Sequence, residues 1–166
     1  MSAAYLGLGS NVDAEYHIAV GVRALSDAFG ELRLSPVYRS RSVGFEGSDF
    51  INLVARIETG LEPLELRQFL RELEDEHGRN RQAPKFSDRT LDIDILLFDD
   101  LVISTETLDL PRAEILRFAH VLKPLADIAP RLKHPVEALT FAELWALGDW
   151  TDAGLELMDP AFLQKK

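Results

Sequence analysis

The order of strand and helix patterns is the feature of this chain that most constrains its fold. Apolar and polar residues alternate over residues 3–8 and 50–58, as in strands that bury one face. Segments 32–38 and 91–98 are two further strands. Two amphipathic helices separate them, with apolar residues at Ile18, Val22, Leu25 and Phe29 in the first and Leu66, Phe69, Leu70 and Leu73 in the second. The resulting order is β-α-β-β-α-β.

That order predicts an α+β, ferredoxin-like fold, in which one antiparallel sheet has its helices packed on one face. The opposite face would be free to carry a site. Shorter elements follow, with helical patterns near residues 113–118, 121–128 and 140–147. We expect a single domain over residues 1–148 and a loosely docked C-terminal tail over 149–166, where the pattern is weak.

Charge and composition exclude several functions. The 166 residues carry a formal net charge of −10, which argues against a general nucleic-acid or anionic-membrane binder. The absence of cysteine excludes disulfides and thiolate metal sites. The N-terminus lacks the basic and apolar segments of a signal peptide, and no apolar run reaches the roughly 18 residues of a membrane span. We therefore expect a cytoplasmic monomer that binds neither nucleic acid nor membrane.

Two aspartates interrupt the most aliphatic strand, Leu91–Leu96. Strand periodicity directs Leu91, Ile93 and Ile95 into the core and places Asp92 and Asp94 together on the other face. Neighbouring carboxylates repel each other unless a cation lies between them, and Mg²⁺ favours one or two carboxylates with water and phosphate oxygens. The alternative is a pair of solvated aspartates, but aspartate is depleted in strands. The pair therefore predicts a magnesium site.

A basic loop precedes this strand in an otherwise acidic chain. Residues 78–89 contain a single acid and four cations, namely Arg79, Arg81, Lys85 and Arg89. Arginine suits bidentate phosphate contacts and lysine supplies a point charge. Cations beside a carboxylate-bound metal are what phosphoryl transfer requires. The alternative is a solvated loop whose cations pair with surrounding acids. For any single cation of the loop, the sequence supports phosphate binding and this alternative about equally.

Weaker signals come from Phe50 and Asn52, which share a strand face and could stack on and hydrogen-bond a flat heterocycle. Spacing alone favours ordinary packing for both residues. The run Gly7-Leu8-Gly9-Ser10-Asn11-Val12 lacks the third glycine of a dinucleotide fingerprint, and no Walker A sequence occurs. The four histidines are scattered without metal-ligand spacing, and an apolar run around His120 favours a packed histidine.

Several of these segments together resemble the 6-hydroxymethyl-7,8-dihydropterin pyrophosphokinase family. The resemblance extends from Tyr5 to about Pro135, and its most specific part is Gly78 to Leu96. The matching motifs are Leu8-Gly9-Ser10-Asn11, Asp49-Phe50-Ile51-Asn52, Glu74 with Gly78-Arg79-Asn80-Arg81, Arg89-Thr90-Leu91-Asp92-Ile93-Asp94-Ile95-Leu96, Leu122-Lys123-Pro124-Leu125 and Ile128-Ala129-Pro130.

The resemblance implies a reaction in which the β,γ-diphosphate of ATP is transferred to the pterin hydroxymethyl group, leaving AMP. It implies two Mg²⁺ ions on Asp92 and Asp94, with catalytic roles for these carboxylates and for nearby arginines. The implied catalytic arginines are Arg79, Arg81 and Arg89. The implied nucleotide contacts are Glu74, Arg79, Lys85, Arg89 and Arg112. The implied pterin contacts are Ser40, Val43, Phe50, Asn52 and His120.

The chain departs from the family at several of these positions. Phe86-Ser87-Asp88 replaces a Trp-Gly-Pro run, Ser42 replaces a proline, Arg112 stands where a histidine contacts nucleotide, and His120 where an aromatic stacks on pterin. Two alternatives therefore stay open beside the pyrophosphokinase. One is a non-catalytic or altered-specificity pterin- or nucleotide-binding paralogue. The other is a Mg²⁺-dependent kinase for another small hydroxylated ring.

Overall fold

A computed structural model describes residues 1–41, 47–78, 82, 88–150 and 153–164. Its regular elements in chain order are β1 (Ser2–Ser10), α1 (Ala14–Phe29), β2 (Arg33–Leu34), β3 (Val37–Ser40), β4 (Phe50–Thr59), α2 (Pro63–Glu76), β5 (Asp92–Phe98), β6 (Ile103–Ser104), β7 (Asp109–Leu110), α3 (Ala119–Ile128), α4 (Phe141–Leu147) and β8 (Glu156–Met158), with 3₁₀ helices over Ala113–Leu116 and Pro160–Gln164. No helix within these described ranges is long and apolar enough to cross a membrane.

The main sheet has the strand order β5-β1-β4-β3-β8, with every paired strand antiparallel and β2 added beside β4. The predicted β-α-β-β-α-β order and the α+β class are confirmed. The expected strand over 32–38 is divided at Pro36, which has no backbone N–H for a ladder. A separate two-stranded ribbon of β6 and β7 follows β5.

The larger core lies between the sheet and helices α1 and α2. Alternate residues of β1 and β4 face these helices, and the helices contribute the apolar stripes that the sequence predicts. The fully buried members of this core include Leu6, Ile57, Ile18, Leu25 and Leu66. The other face of the same strands is therefore the one that holds Gly9 and Asn52.

A second core partly covers that other face. Helices α3 and α4 pack there around Val54, Leu96 and Leu97, with Tyr5 at the margin. A register shift between β1 and β5 lets the consecutive residues Leu96 and Leu97 both enter this core. The expectation of helices on one face therefore holds for α1 and α2 and is corrected for α3 and α4. The uncovered part of the face lies beyond Val54, towards the end of β5 that carries Asp92.

The C-terminal segment is more closely attached than its sequence pattern suggests. Residues 156–158 pair with β3 as an additional edge strand, and the 3₁₀ helix behind them buries Phe162 in the larger core. The apolar residues of this segment follow neither a helical nor a strand period, so periodicity could not reveal that one aromatic side chain docks it. Residues 156–158 therefore join the edge of the sheet, and Phe162 docks the segment on the larger core.

Candidate functional site

The site is built on a row of residues that crosses three neighbouring strands. Strand register places Asp92 opposite Gly9 and places Gly9 opposite Asn52, so all three occupy the uncovered sheet face. With adjacent strands ~4.8 Å apart, the aspartate and the asparagine are separated by roughly 10 Å. Asp94 lies on the same face, one pair further along β5 and opposite Gly7. The row thus joins an acidic end on β5 to an amide end on β4.

At the acidic end of the row, the carboxylates of Asp92 and Asp94 repel each other. Asp92 and Asp94 are both partly buried on one face of β5, as the alternation of the sequence predicts. Burial, followed by the negative charge of Asp92, raises the pKa of Asp94 well above its ordinary value, while Arg112 opposes this rise. A divalent cation between the two carboxylates would remove the repulsion.

The donor set fits magnesium. Within the described ranges, no group of three or more histidine or acidic side chains is arranged to hold a metal ion. Two carboxylates without a third ligand do not complete a coordination shell of their own. Mg²⁺ is commonly bound in this way, because it retains waters and takes its remaining ligands from substrate phosphates. Asp92 and Asp94 are therefore the residues that would hold it.

Glu74 fixes the strand beneath the aspartates. This residue lies on α2 with its side chain 4 % exposed, and its Oε2 accepts a hydrogen bond of 2.9 Å from the Ile93 backbone N–H. The contact joins the end of α2 to β5 between the two aspartates. The structure thus brings Glu74 to the site, where its carboxylate orients the strand in addition to lining the cleft.

A cleft of about 230 Å³ opens beside Asp92 and Asp94 between α2 and β7. Arg67 and Arg71 on α2 line it together with Arg112 and Thr107. This volume is below the roughly 300–1,000 Å³ of drug-sized ligand sites, so the cleft suits part of a nucleotide rather than all of it. Sequence reasoning missed Arg67 and Arg71, because a helical period identifies the polar face without showing what that face meets.

Arg112 lies between two carboxylates. Its Nη2 is 3.5 Å from Asp94 Oδ1, and its Nε is 2.7 Å from Glu114 Oε2. Its backbone N–H donates to the Leu96 carbonyl, which ties this residue to the strand that carries the aspartates. Burial would lower the pKa of Arg112, but Asp94, Glu114 and other acids outweigh burial and raise it. The guanidinium is therefore a permanent cation at the edge of the predicted metal site.

Arg89 is held in place by an asparagine from the first loop. Asn11 Oδ1 accepts a hydrogen bond of 2.7 Å from the Arg89 backbone N–H, and the Asn11 N–H donates to the Arg89 carbonyl. The Asn11 side-chain amide also donates to Asp88 Oδ1 and to the Ser48 carbonyl. One side chain thus joins three segments. The sequence places Asn11 in a matching motif without revealing this role, because the partners of Asn11 lie 37 to 78 residues away.

The amide end of the row is compact. Asn52 is 6 % exposed, and its Nδ2 donates a hydrogen bond of 2.7 Å to Ser40 Oγ. A Cβ at Gly9 would lie only 3.2 Å from Asn52 Oδ1 and 3.8 Å from the Phe50 ring, so glycine gives this amide its room. The structure brings together Phe50, Asn52 and Ser40, three of the predicted pterin contacts.

His120 is a half-buried residue in the first turn of α3, and the charges of Asp92 and Glu114 act on its ring. Its ring stacks on Phe118 with centroids 5.3 Å apart and an interplanar angle of 20°. Burial lowers the pKa of His120 to about 4, although Asp92 and Glu114 oppose the shift. The residue is therefore a neutral, flat surface near the acidic end, and the structure gathers it with the other predicted site residues.

Four predicted site residues lie outside the described ranges. These are Arg79, Arg81, Lys85 and Val43. Their roles stay predictions from the sequence. The nine predicted residues that the structure describes are Ser40, Phe50, Asn52, Asp92 and Asp94 on the strands of this face, Glu74 and Arg112 at the cleft beside it, Arg89 in the segment bound by Asn11, and His120 on α3 near Asp92.

Comparison with known proteins points to one family. Residues 5–130 match the sequence profile of a family described as 7,8-dihydro-6-hydroxymethylpterin-pyrophosphokinase (HPPK). A relative named 2-amino-4-hydroxy-6-hydroxymethyldihydropteridine pyrophosphokinase, from Aquifex aeolicus, is 37% identical over 82% of this chain and 86% of its own. The Bacillus subtilis protein of the same name is 36% identical over 78% of this chain and 80% of its own.

The fold is also found in larger proteins. The crystal structure of Plasmodium falciparum HPPK-DHPS with pteroate matches 87% of this chain with a TM-score of 0.71 and 16% identity. Because the identity is so low, this likeness supports the fold alone, and this chain spans 44% of the solved chain. A Lactococcus lactis protein named bifunctional protein FolKE is 36% identical over 77% of this chain, which covers 38% of the FolKE length.

Proposed function

The chain belongs to the 7,8-dihydro-6-hydroxymethylpterin-pyrophosphokinase family, and on that premise we propose that it transfers diphosphate from ATP to 6-hydroxymethyl-7,8-dihydropterin. The hydroxymethyl oxygen forms a bond to the β-phosphorus of ATP. The bond from that phosphorus to the α,β-bridging oxygen breaks, AMP leaves, and the hydroxyl proton is released. The product is the diphosphate ester used in folate biosynthesis.

The row from β5 to β4 is the observation that carries this proposal. It places an acidic end and an amide end on one open face, about 10 Å apart. Two substrates can therefore lie side by side, with their reacting groups between the strands. Holding both in line converts a two-body encounter into a reaction within one complex, which is a large part of what such an enzyme supplies.

The residue roles follow from this arrangement. Asp92 and Asp94 would hold Mg²⁺, two ions by analogy with the family, and bound metal would neutralise charge on the phosphate oxygens. We propose that the arginines of the cleft and Arg89 bind the triphosphate. Asn11 positions Arg89 through a hydrogen bond from the Arg89 backbone N–H. Arg79, Arg81 and Lys85 are proposed phosphate contacts on the strength of the sequence motif.

The pterin would lie at the other end of the row. The Asn52 amide keeps its Oδ1 for a ring N–H while its Nδ2 is held by Ser40. Phe50 offers an aromatic surface at this end of the row, and His120, on the side towards Asp92, offers a second flat surface on which the ring could stack. We add Val43 to these contacts from the sequence motif. Because His120 is neutral, it can replace a carbocyclic aromatic there without bringing a charge to the pterin.

We further propose that the protein works as a cytoplasmic monomer without nucleic-acid or membrane partners. A net charge of −10 supports this, because a strongly acidic surface repels anionic polymers, anionic lipids and further copies of the chain. The proposed use of ATP supports a cytoplasmic location. Sedimentation at several protein concentrations would test the monomer, and a mass that doubles with concentration would refute it.

Turnover provides the direct test. The protein should release AMP when supplied with Mg²⁺, ATP and 6-hydroxymethyl-7,8-dihydropterin, as followed by ion-pair chromatography of the nucleotides. Asp92→Asn and Asp94→Asn should each reduce kcat by at least about 100-fold, as expected when an electrostatic interaction made in the transition state is removed. Asp100→Asn, an exposed control on the turn after β5, should keep full activity. Absence of AMP above background from the wild-type protein would refute the proposal.

A second function is favoured by Arg112 and His120, which replace the residues usual in the family. These changes fit a paralogue that binds pterin and nucleotide with altered specificity or without turnover. Calorimetry separates the two functions. Binding of both ligands with no AMP favours the binding protein, whereas AMP formed only with a different hydroxylated ring indicates altered acceptor specificity.

A further inference from the structure

The guanidinium of Arg112 lies where a metal ion would compete with it. Asp94 Oδ1 is 3.5 Å from Arg112 Nη2, so this cation already compensates one of the two carboxylates assigned to Mg²⁺. Four acidic side chains act on the Arg112 guanidinium, namely Asp94, Glu114, Asp92 and Asp109. An internal cation therefore supplies part of the neutralisation that a metal would supply.

Metal and guanidinium cannot both be favourable at this carboxylate. Mg²⁺ needs the oxygen lone pairs of Asp94 at close range and in near-octahedral geometry. A positive guanidinium 3.5 Å from the same oxygen would repel an ion bound there. A metal ion that binds without nucleotide would have to displace Arg112 from Asp94, and no phosphate would then be present to replace Asp94 as a partner of that arginine.

Glu114 supplies a pivot for the displaced side chain. The 2.7 Å ion pair with Arg112 Nε can persist while the outer nitrogens of the guanidinium turn away from Asp94. The side chain lines the cleft beside Thr107 and Arg71, where a triphosphate would present several anionic oxygens. Arginine binds such oxygens in bidentate fashion, so the nucleotide would replace Asp94 as the anionic partner of this guanidinium.

We propose that Arg112 is an internal counter-cation that occupies Asp94 in the free protein and transfers to the nucleotide phosphates when Mg²⁺ binds. It acts as a positioning residue that makes metal and nucleotide binding mutually dependent. Metal binds weakly to the free protein and tightly once a triphosphate is present. By linkage, metal strengthens nucleotide binding by the same factor. The inference rests on the proposed metal site and nucleotide cleft, and it requires neither the pterin acceptor nor turnover.

Mn²⁺ binding followed by electron paramagnetic resonance tests this coupling, because Mn²⁺ shares the oxygen-rich octahedral preference of Mg²⁺. Without nucleotide, Arg112→Leu should bind Mn²⁺ about tenfold more tightly than the wild type, a typical coupling factor. Arg117→Leu is the matched control, since it removes the same charge from an exposed position five residues away and should change the affinity less than about twofold. Arg112→Lys keeps the cation and should stay near the wild type.

The second measurement adds a non-hydrolysable ATP analogue, with correction for Mn²⁺ bound by free nucleotide. The analogue should raise Mn²⁺ affinity by a larger factor in the wild type than in Arg112→Leu. Arg112→Gln provides the same test should the leucine variant fail to fold. Equal Mn²⁺ affinities for Arg112→Leu and Arg117→Leu in nucleotide-free protein would overturn the inference. Because this assay needs no acceptor, its outcome is independent of whether the wild type forms AMP.

Discussion

At the scale of single residues, His120 is a neutral histidine beside a cluster of acids. Its pKa of about 4 in the folded protein lies below the 6.5 that is usual for histidine in an unfolded chain. Between these two pH values the unfolded chain binds more protons than the folded protein does. The contribution of His120 to the free energy of unfolding is therefore complete above about pH 6.5 and is lost as the pH falls towards 4. Burial of the ring against Phe118 is the cause, because a charged imidazole would lose its hydration there.

Substitution of this ring gives a quantitative prediction. His120→Phe keeps an aromatic ring next to Phe118 but cannot bind a proton. We expect the unfolding free energy of the wild type to fall by ~1.5 kcal/mol more than that of the variant between pH 6.5 and pH 5. Urea denaturation at a series of pH values measures both curves. Parallel curves for the two proteins would show that His120 keeps an ordinary pKa in the fold.

At the scale of elements, one asparagine joins segments that no regular structure connects. Asn11 bonds to Arg89, Asp88 and Ser48, so the loop after β1 holds the start of β5. Asn11→Ala should destabilise the protein by about 1–3 kcal/mol, because buried partners lose their hydrogen bonds. It should also lower kcat/KM, because the Arg89 backbone is released. Urea denaturation and AMP formation measure the two effects.

The neighbouring residue supplies the control for this prediction. Ser10 is fully buried at the same turn, yet its Oγ makes only long contacts of 3.3 and 3.4 Å to carbonyl oxygens. Ser10→Ala should therefore cost less than about 1 kcal/mol and leave turnover near that of the wild type. Equal losses in Ser10→Ala and Asn11→Ala would mean that the turn itself matters, rather than the amide of Asn11.

The sequence predicts the elements of this fold better than their arrangement around the site. Alternation alone locates Asp92 and Asp94 on one face, since a strand allows no other placement for residues two apart. Alternation cannot show that Arg67 and Arg71 line the same cleft as these aspartates, because only tertiary packing brings α2 next to β5. Val54 is instructive, since an apolar residue on the polar face of β4 marks where α3 docks, and a single such residue is a weak signal.

At the scale of the whole molecule, a short C-terminal segment stabilises the larger core. Phe162 is 5 % exposed and belongs to the same core as the helices near the chain's start. Phe162→Ala should lower the unfolding free energy by about 3–5 kcal/mol, the usual cost of removing a buried aromatic ring. Thermal and urea denaturation would measure this loss.

Leu157 is the matched control from the same segment. It lies on β8 with 70 % of its side chain exposed, so Leu157→Ala should change stability by no more than about 0.5 kcal/mol. If Phe162→Ala were as mild as Leu157→Ala, the segment would be only an appendage to a core that is complete without it.

The row Asp92–Gly9–Asn52 has a consequence for how this site can change. Its members are spaced by the hydrogen-bond ladder of the sheet rather than by the length of any side chain. The distance between the proposed nucleotide and pterin ends of the row is therefore set by the backbone, which side-chain substitutions leave intact. Under the proposed function, residues on β3 and β4 can be exchanged to admit a different ring while β5 keeps the two aspartates proposed to hold the metal. New acceptors are thus accessible by substitutions confined to one end of the row.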